Sequence, residues 1–372
     1  MTPQDLAELY LLSRSLWWRH ELGLLSDEAV SELVKVLRSA RSGIVAQIEA
    51  EAQGLASISE WTRERNDQIS TWIDEVLAGT SASVTNYISE ASVGVALASV
   101  ATYNSILSFD GKAKAVKLVE GLTREQVKQF FQDQPLGGKL LSDWVGNAFS
   151  TGARDSILDA IREGVVVGEG YRKLVKRVMA AADAGFSITQ RESTTLVRTY
   201  VQSANTGAQE AVYEQNEGII KGYKRVETLD NRTCRICALA DGTVYKKGEK
   251  RPELPAHPNC RGVYVPILKT FREIGLNIDE LEEVARPWTI REPGPIGTGG
   301  RKILNFGTTK ENFGGWWESL SAEDKLKTSV GPVRGKLLEE GLVRWEDLSD
   351  KRTGLPYTLE QLGFDEQGNP LR

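Results

Sequence analysis

Histidine, cysteine and methionine are scarce in this 372-residue chain, at two, three and two residues. An odd number of cysteines argues against a disulfide framework. No stretch approaches the about 18 consecutive apolar residues of a membrane span. The opening residues MTPQDLAELYLLSRSLWWRHELG are amphipathic and acid-bearing, where a secretion signal has a continuous apolar core, so synthesis in a cytoplasm is expected. Neither charge sign dominates: 46 Lys+Arg face 51 Asp+Glu, a net charge of −5. That balance excludes nucleic-acid binding through bulk positive charge, and with 40% hydrophobic residues it excludes a disordered chain. Proline is absent from Gln4 through Gln134, so nothing there interrupts a helix.

What is present reads first as helix. At about 150 residues per domain the length suggests two to three domains. Val30, Leu33, Val34, Leu37, Ile44 and Ile48 fall on one helical stripe, with Ser26-Asp27-Glu28 as its expected N-cap and acidic first turn. Ser57 and Glu60 have capping-box spacing ahead of a stripe through Trp61, Ile69, Trp72, Ile73, Val76 and Leu77, with Gly79 as its expected stop. Residues 84–107 form a further helical stretch rich in Ala, Ser and Gly. More helices are expected at 123–133, 139–162, 169–182 and 188–216, separated by breakers at 134–138, 164–170 and 184–187.

Near Gly222 the helical period stops. Short β-rich runs appear at 222–228, 243–245 and 262–267, separated by turn signals at Asp230-Asn231 and Asp241-Gly242 and by prolines 252, 255 and 258. A helix is expected near 277–285. The Gly/Pro run 291–302 reads as a linker, and 303–372 as short amphipathic helices around Trp316, Trp317, Leu320, Leu337, Leu338 and Leu342. That last segment is too small to bury much alone, so it should pack on the body or on a partner.

All three cysteines and one histidine fall in one 27-residue window: Cys234-x2-Cys237, nineteen residues, then His257-x2-Cys260. Two residues between ligands let a knuckle turn both side chains toward one ion, and two knuckles complete a tetrahedron of three sulfurs and an imidazole. The expected cofactor is therefore a structural Zn2+ with no open coordination position. Packed free cysteines and a cysteine nucleophile are the competing readings. A loop-rich subdomain of this size lacks the core to hold itself together, and structural zinc contributes about 10–16 kcal/mol in small modules. The fold class expected is mainly α, with long N-terminal helices, a small zinc-stabilised α+β subdomain and a short C-terminal helical module. The segments are 1–135, 136–220, 221–290, the linker 291–302, and 303–372.

Residues 221–272 carry twelve Lys/Arg against five Asp/Glu, leaving −12 for the remainder of the chain. Lys246, Lys247, Lys250 and Arg251 are candidate contacts to phosphate or to an acidic partner; a solvated loop is the plainer alternative. Gly294 through Lys302 lacks the GK[ST] of a phosphate-cradling loop. A nuclease would need a general-base histidine besides the ligand His257, and His20, on an amphipathic helix, is the sole remaining one. No catalytic residues are assigned.

Asp230-Asn231-Arg232-Thr233-Cys234-Arg235-Ile236-Cys237, Asp241-Gly242 and Pro255-Ala256-His257-Pro258-Asn259-Cys260-Arg261 together resemble the signature of Mu F-type minor head proteins of tailed bacteriophages. Upstream, residues 154–178, Leu196-Val197-Arg198-Thr199, Asn205 and Tyr213 are similar to the helical head-morphogenesis region preceding that signature. Downstream, Phe313 through Trp317, Val330 through Arg334, Gly341-Leu342-Val343 and Thr358 through Leu362 resemble the module that follows it. The resemblance covers roughly 150–372. It implies a non-enzymatic minor head protein of the virion, bound at or near the portal vertex and acting in head assembly, genome packaging or retention, or DNA delivery. Portal protein is the implied partner, with major capsid protein, scaffold and packaged double-stranded DNA as further candidates. A zinc-dependent nucleic-acid-binding protein is the alternative reading, and a hydrolase the weakest.

Overall fold

A computed structural model describes residues 3–53, 63–109, 113, 115–120, 123–133, 139–167, 169, 171–269, 286–291 and 303–371. Six helices lead: α1 (Pro3–Gln53), α2 (Arg63–Leu107), α3 (Arg124–Asp133), α4 (Leu141–Ala148), α5 (Asp155–Val167) and α6 (Tyr171–Gln215). Then come β1 (Ile220–Val226), β2 (Leu229–Asp230), the short helix α7 (Arg235–Ala240), β3 (Val244–Lys246), β4 (Val263–Leu268), β5 (Arg286–Arg291) and β6 (Ile303–Thr309). The chain closes with α8 (Phe313–Glu318), α9 (Ala322–Leu326), α10 (Pro332–Glu339) and a 3-10 turn at Trp345–Leu348. A mainly helical protein with small sheets is thus observed. No helix among the described residues is long and apolar enough to cross a membrane. The Ser57–Glu60 capping box, the helix near 277–285 and linker residues 292–302 lie outside the described residues.

The long helices ignore several expected stops. Ser26 is not an N-cap but lies buried inside α1, and Gly79 is not a stop but lies inside α2. One interior glycine costs about 1 kcal/mol. Burying a single large aliphatic side chain, such as Ile73 or Leu77 on the stripe around Gly79, contributes about 1.5–3 kcal/mol, so the helix continues. The expected break at 184–187 is likewise absent, for a steric reason. A Cβ on Gly185 would lie 2.7 Å from the Gly152 carbonyl oxygen and 2.9 Å from the Ala153 Cα. Gly185 is where α6 meets the turn between α4 and α5.

That turn, Phe149–Arg154, is a π-helix. Thr189 Oγ1 donates to the Ala148 carbonyl at 3.0 Å and accepts from the Ala153 N–H at 3.2 Å, satisfying backbone groups the wider turn leaves over. Gly185→Ala should cost about 1–3 kcal/mol through overpacking against backbone that cannot yield. Gly79→Ala, where a Cβ meets nothing within 4 Å, should be neutral or stabilising. Urea unfolding followed by far-UV circular dichroism checks both, and equal midpoints for the two variants would contradict the close crossing.

The chain forms two compact units: Gly23–Leu97 with Leu122–Ala204, and Met1–Leu22 with Ala98–Gly121 and Asn205–Arg372. The described residues of the first are mainly helical. Leu33, Leu37, Ile44, Ile73, Val84, Val145, Ile157, Leu174 and Val178 are among its buried residues, and Arg154 spans to Asp74 with Nε–Oδ1 at 2.7 Å and Nη2–Oδ2 at 3.0 Å.

The second unit carries both sheets. One is antiparallel in the order β3-β1-β4, with Tyr223 opposite Tyr245 and Pro266, and Arg225 opposite Tyr264. The other runs β2-β5-β6, parallel then antiparallel. The three expected β-runs became β1, β3 and β4. Strand β6 falls where only helices were expected, and Arg291, assigned to the linker, ends β5. Both strands draw their order from pairing with each other across a long connection, which no local pattern announces.

A polar seam ties the helical part of this unit to the first sheet. Trp18 Nε1 and Ser99 Oγ both donate to Asn205 Oδ1, at 2.9 and 3.1 Å. One turn further along α6, Gln209 Nε2 donates to the Tyr213 hydroxyl at 3.1 Å, and that hydroxyl donates to the Tyr264 carbonyl at 3.2 Å. The C-terminal segment packs back as expected: Phe313, Trp316, Trp317, Leu320 and Val330 share a core with Leu229, Ala238 and Ile290.

Candidate metal centre

The four ligand candidates sit on two knuckles. Cys234 precedes the first turn of α7 with extended backbone (φ −67°, ψ 162°), and the Ala238 N–H closes on its carbonyl at 2.8 Å, which aims Cys234 and Cys237 to one side. In the second knuckle the Cys260 N–H bonds the His257 carbonyl at 3.1 Å, and Asn259 takes the left-handed conformation (φ 59°) that the tight turn requires. Asn accepts that region more readily than most residues.

The ligand atoms of Cys234, Cys237 and His257 all lie within 4.8 Å of one another, a grouping that could hold a metal ion. His257 Nε2 is 3.0 Å from Cys234 Sγ and 3.1 Å from Cys237 Sγ. Cys260 Sγ is 3.8 Å from Cys237 Sγ but stands outside the mutual grouping of the other three. A tetrahedral zinc with the usual bond lengths spans about 3.8 Å between sulfurs and about 3.5 Å between sulfur and nitrogen. The sulfur pair already has that separation, and the imidazole needs to withdraw only a few tenths of an ångström.

Histidine's tautomer is decided by its neighbour. Nδ1 lies 2.8 Å from the Pro258 carbonyl oxygen, which can only accept, so Nδ1 carries a proton and Nε2 is the nitrogen turned toward the sulfurs. A hydrogen bond from the Cys237 thiol draws Cys234 down to about 4 and Cys260 down to about 5, while Cys237, holding that proton between them and buried, is raised. The contact with Cys234 raises His257 to about 9. Two of the three sulfurs, those of Cys234 and Cys260, are thus drawn toward the thiolate, the form in which cysteine binds soft and borderline metals.

Buried charges surround the knuckles. Arg225, fully buried, donates from Nε to Glu227 Oε1 at 2.8 Å and from Nη2 to Cys237 Sγ at 3.6 Å. Burial pushes the Glu227 carboxyl up to about 7 against the opposing pull of Arg225. A Cβ on Gly262 would stand 2.8 Å from Glu227 Cδ, so that close approach requires glycine. Arg261 grips Asp230 in bidentate fashion at 2.7 and 2.8 Å; burial raises that carboxyl, but the guanidinium outweighs it and holds it below the usual range. Asp241 accepts from the Glu227 N–H at 2.7 Å, the Phe313 N–H at 2.6 Å and Arg286 Nη1 at 2.9 Å, with Arg286 Nη2 on its second oxygen.

The basic loop fares differently from the ligands. Lys246 and Lys250 are exposed, and Lys247 Nζ donates to the Glu217 carbonyl at 3.0 Å. Arg251 is engaged within the unit. It forms a two-point ion pair with Glu210 (3.0 and 2.5 Å), and its guanidinium lies 3.9 Å from the Tyr223 ring centroid and 4.4 Å from that of Tyr264. His20 is exposed on α1. Sequence reasoning missed Arg225, Glu227 and Arg286, which no motif marks. Asp230, Asp241 and Arg261 do stand in the signature, but nothing there tells an ion pair from a turn residue.

The arrangement is that of a small two-knuckle module that could hold a metal ion. Residues 155–265 match the model of the family described as phage Mu protein F like protein. The match opens at the first residue of α5, runs through α6 and both knuckles, and closes inside β4. It points to a phage head morphogenesis protein. Neither a curated protein nor a solved structure matches the chain.

Proposed function

We propose that this chain is a structural minor head protein of a tailed bacteriophage, bound at or near the portal and acting in head assembly, genome packaging or retention, or DNA delivery. The observation that carries the reading is the family match over 155–265, a segment that contains all four knuckle residues. In this reading Cys234, Cys237, His257 and Cys260 hold a structural Zn2+, whose chemistry here is to cross-link two knuckles and not to activate a substrate. Four protein ligands leave no position for water, and the flanking ionisable groups Asp230, Glu227 and Asp241 are engaged by arginines, which suits a structural role.

Portal protein is the proposed partner, and the head near the portal vertex the proposed location. Co-purification from infected cells tests this directly. The chain should be recovered with portal protein and with procapsids at a few copies per particle. A stable, partner-free protein absent from particles would refute the proposal. DNA contact, the alternative, falls on Lys246, Lys247 and Lys250, because Arg251 already pairs with Glu210. It predicts duplex binding that falls steeply with salt and weakens when those three lysines are neutralised.

A further inference from the structure

We propose that Arg225 is an outer-sphere positioning residue of the metal centre, shielding Cys237 and setting how tightly and how durably the metal is held. The inference rests on the zinc reading of the site. Backbone N–H groups favour the charge on the other two sulfurs, that of Cys237 at Cys234 and those of Gly262 and Ala256 at Cys260. For Cys237 the donor is a side chain, Arg225 Nη2 at 3.6 Å.

Three features make this more than incidental proximity. Arg225 is fully buried, and a guanidinium is brought out of water only where charged or polar partners compensate it. Its backbone is pinned on both sides, the N–H to the Thr243 carbonyl and the carbonyl to the Gly242 N–H, each at 2.9 Å. Its planar fork is divided between two tasks, since Nε holds Glu227 Oε1 at 2.8 Å while Nη2 reaches the sulfur. Glu227 thus sets the rotation of the guanidinium, and the Gly262 position leaves room for that carboxylate. Lysine, with one nitrogen, cannot make both contacts from one place.

Three thiolates and a neutral imidazole around a dication leave a net charge of −1 in a buried site. A charge-assisted N–H···S bond withdraws electron density from the sulfur, which lowers its nucleophilicity and its affinity for protons that compete with the metal. Removing such an outer-sphere partner costs 10- to 100-fold in metal affinity in order of magnitude.

The test uses the full chain loaded with Co2+ or Zn2+, as wild type and as Arg225→Met, Arg225→Lys and Glu227→Gln. Arg225→Met should bind either metal roughly 10- to 100-fold more weakly in competition with a chromophoric chelator. It should also shift the sulfur-to-cobalt charge-transfer band to longer wavelength, and Cys237 should become the fastest of the three cysteines to be alkylated in the zinc-loaded protein. Glu227→Gln, which keeps an acceptor for Nε, should stay within about threefold of wild type in affinity.

If Arg225→Met does not fold, Arg225→Lys decides: Cys237 should still be alkylated several-fold faster than in wild type, and an unchanged rate overturns the proposal. A folded Arg225→Met with wild-type affinity, band position and alkylation order overturns it as well. Wild-type protein that takes up Co2+ without thiolate charge-transfer bands defeats the zinc reading and this inference together; normal wild-type loading with unresponsive variants defeats this inference alone.

Discussion

Chelating the Zn2+ proposed at the knuckles should unfold the β3-β1-β4 sheet and both knuckles, and release the aromatic cluster of the C-terminal segment, while the helices of the unit Gly23–Leu97 with Leu122–Ala204 keep their structure. The reasoning compares magnitudes. Structural zinc contributes about 10–16 kcal/mol of apparent folding free energy in small modules, whereas a whole domain is stable by about 5–15 kcal/mol. Among the described residues the core cluster at the knuckles is small, Cys237, Tyr245, Leu254, Cys260 and Tyr264 with Tyr223 and Cys234 at its margin, so the ion should supply much of the stability of this module. Release spreads to the C-terminal segment because Ala238, on the helix that follows Cys234, sits in the same core as Phe313, Trp316 and Trp317.

Hydrogen exchange read by mass spectrometry should then show protection lost over 220–268 and 313–348 and kept over α3 to α5. Tryptophan emission should move to the red as Trp316 and Trp317, exposed by 0% and 2%, meet water. A helical circular-dichroism signal that collapses along with the sheet would defeat the modular reading. Protection unchanged at β1 and β4 would mean that the metal does not hold this module.

The second large effect belongs to Asp241. Replacing it with Ala should destabilise the unit that carries both sheets by about 3–5 kcal/mol, because Arg286 is left buried without a counter-charge and the N–H groups of Glu227 and Phe313 lose their acceptor. Surface ion pairs in the same protein give the contrast. Arg162 with Asp159 or Lys35 with Glu32, both well exposed, should give less than about 1 kcal/mol each when broken.

Denaturant titrations read by tryptophan emission should put the Asp241→Ala midpoint far below wild type, with the Asp159→Ala midpoint close to it. An Asp241→Ala effect within about 1 kcal/mol would show that the Arg286 pair is not a structural clamp. Because the chain has two units, the transition should be assigned to its unit before a free energy is extracted.

The helices illustrate how far pattern carries. Period 3.6 identified helical residues well and helix ends poorly. Ser26, Gly79 and Gly185 all have the local chemistry of a boundary, yet each lies in a helix interior. At Gly79 the helix simply absorbs the cost of an unneeded glycine, since nothing approaches it. At Gly185 the glycine is required by the approach of Gly152 and Ala153, a partner more than thirty residues away in the chain. Two glycines with the same sequence signal therefore have opposite physical meanings, and only their neighbours distinguish them.

The grouping of Cys234, Cys237 and His257 was legible because its geometry is local. Two residues between Cys234 and Cys237, and two between His257 and Cys260, almost dictate that each pair faces one way, and the chain has no other cysteine to confuse the assignment. Strands β1, β3 and β4 were legible for the same reason, as alternation bounded by turn residues. Charge was not. Lys246, Lys247, Lys250 and Arg251 look alike in sequence, but Arg251 alone meets Glu210 and two tyrosine rings.

By itself the sequence determined a mainly helical chain, the two knuckles with their donor chemistry, and the strands that flank them, all of which depend on residues a few positions apart. The tertiary structure alone decided which charges are buried and with whom: Arg225 with Glu227 and Cys237, Arg286 with Asp241, and the C-terminal tryptophans against Ala238. A buried charge must find its partner wherever the fold brings one, and Asp241 finds Arg286 and Phe313 at separations of 45 and 72 residues, beyond the reach of any local pattern.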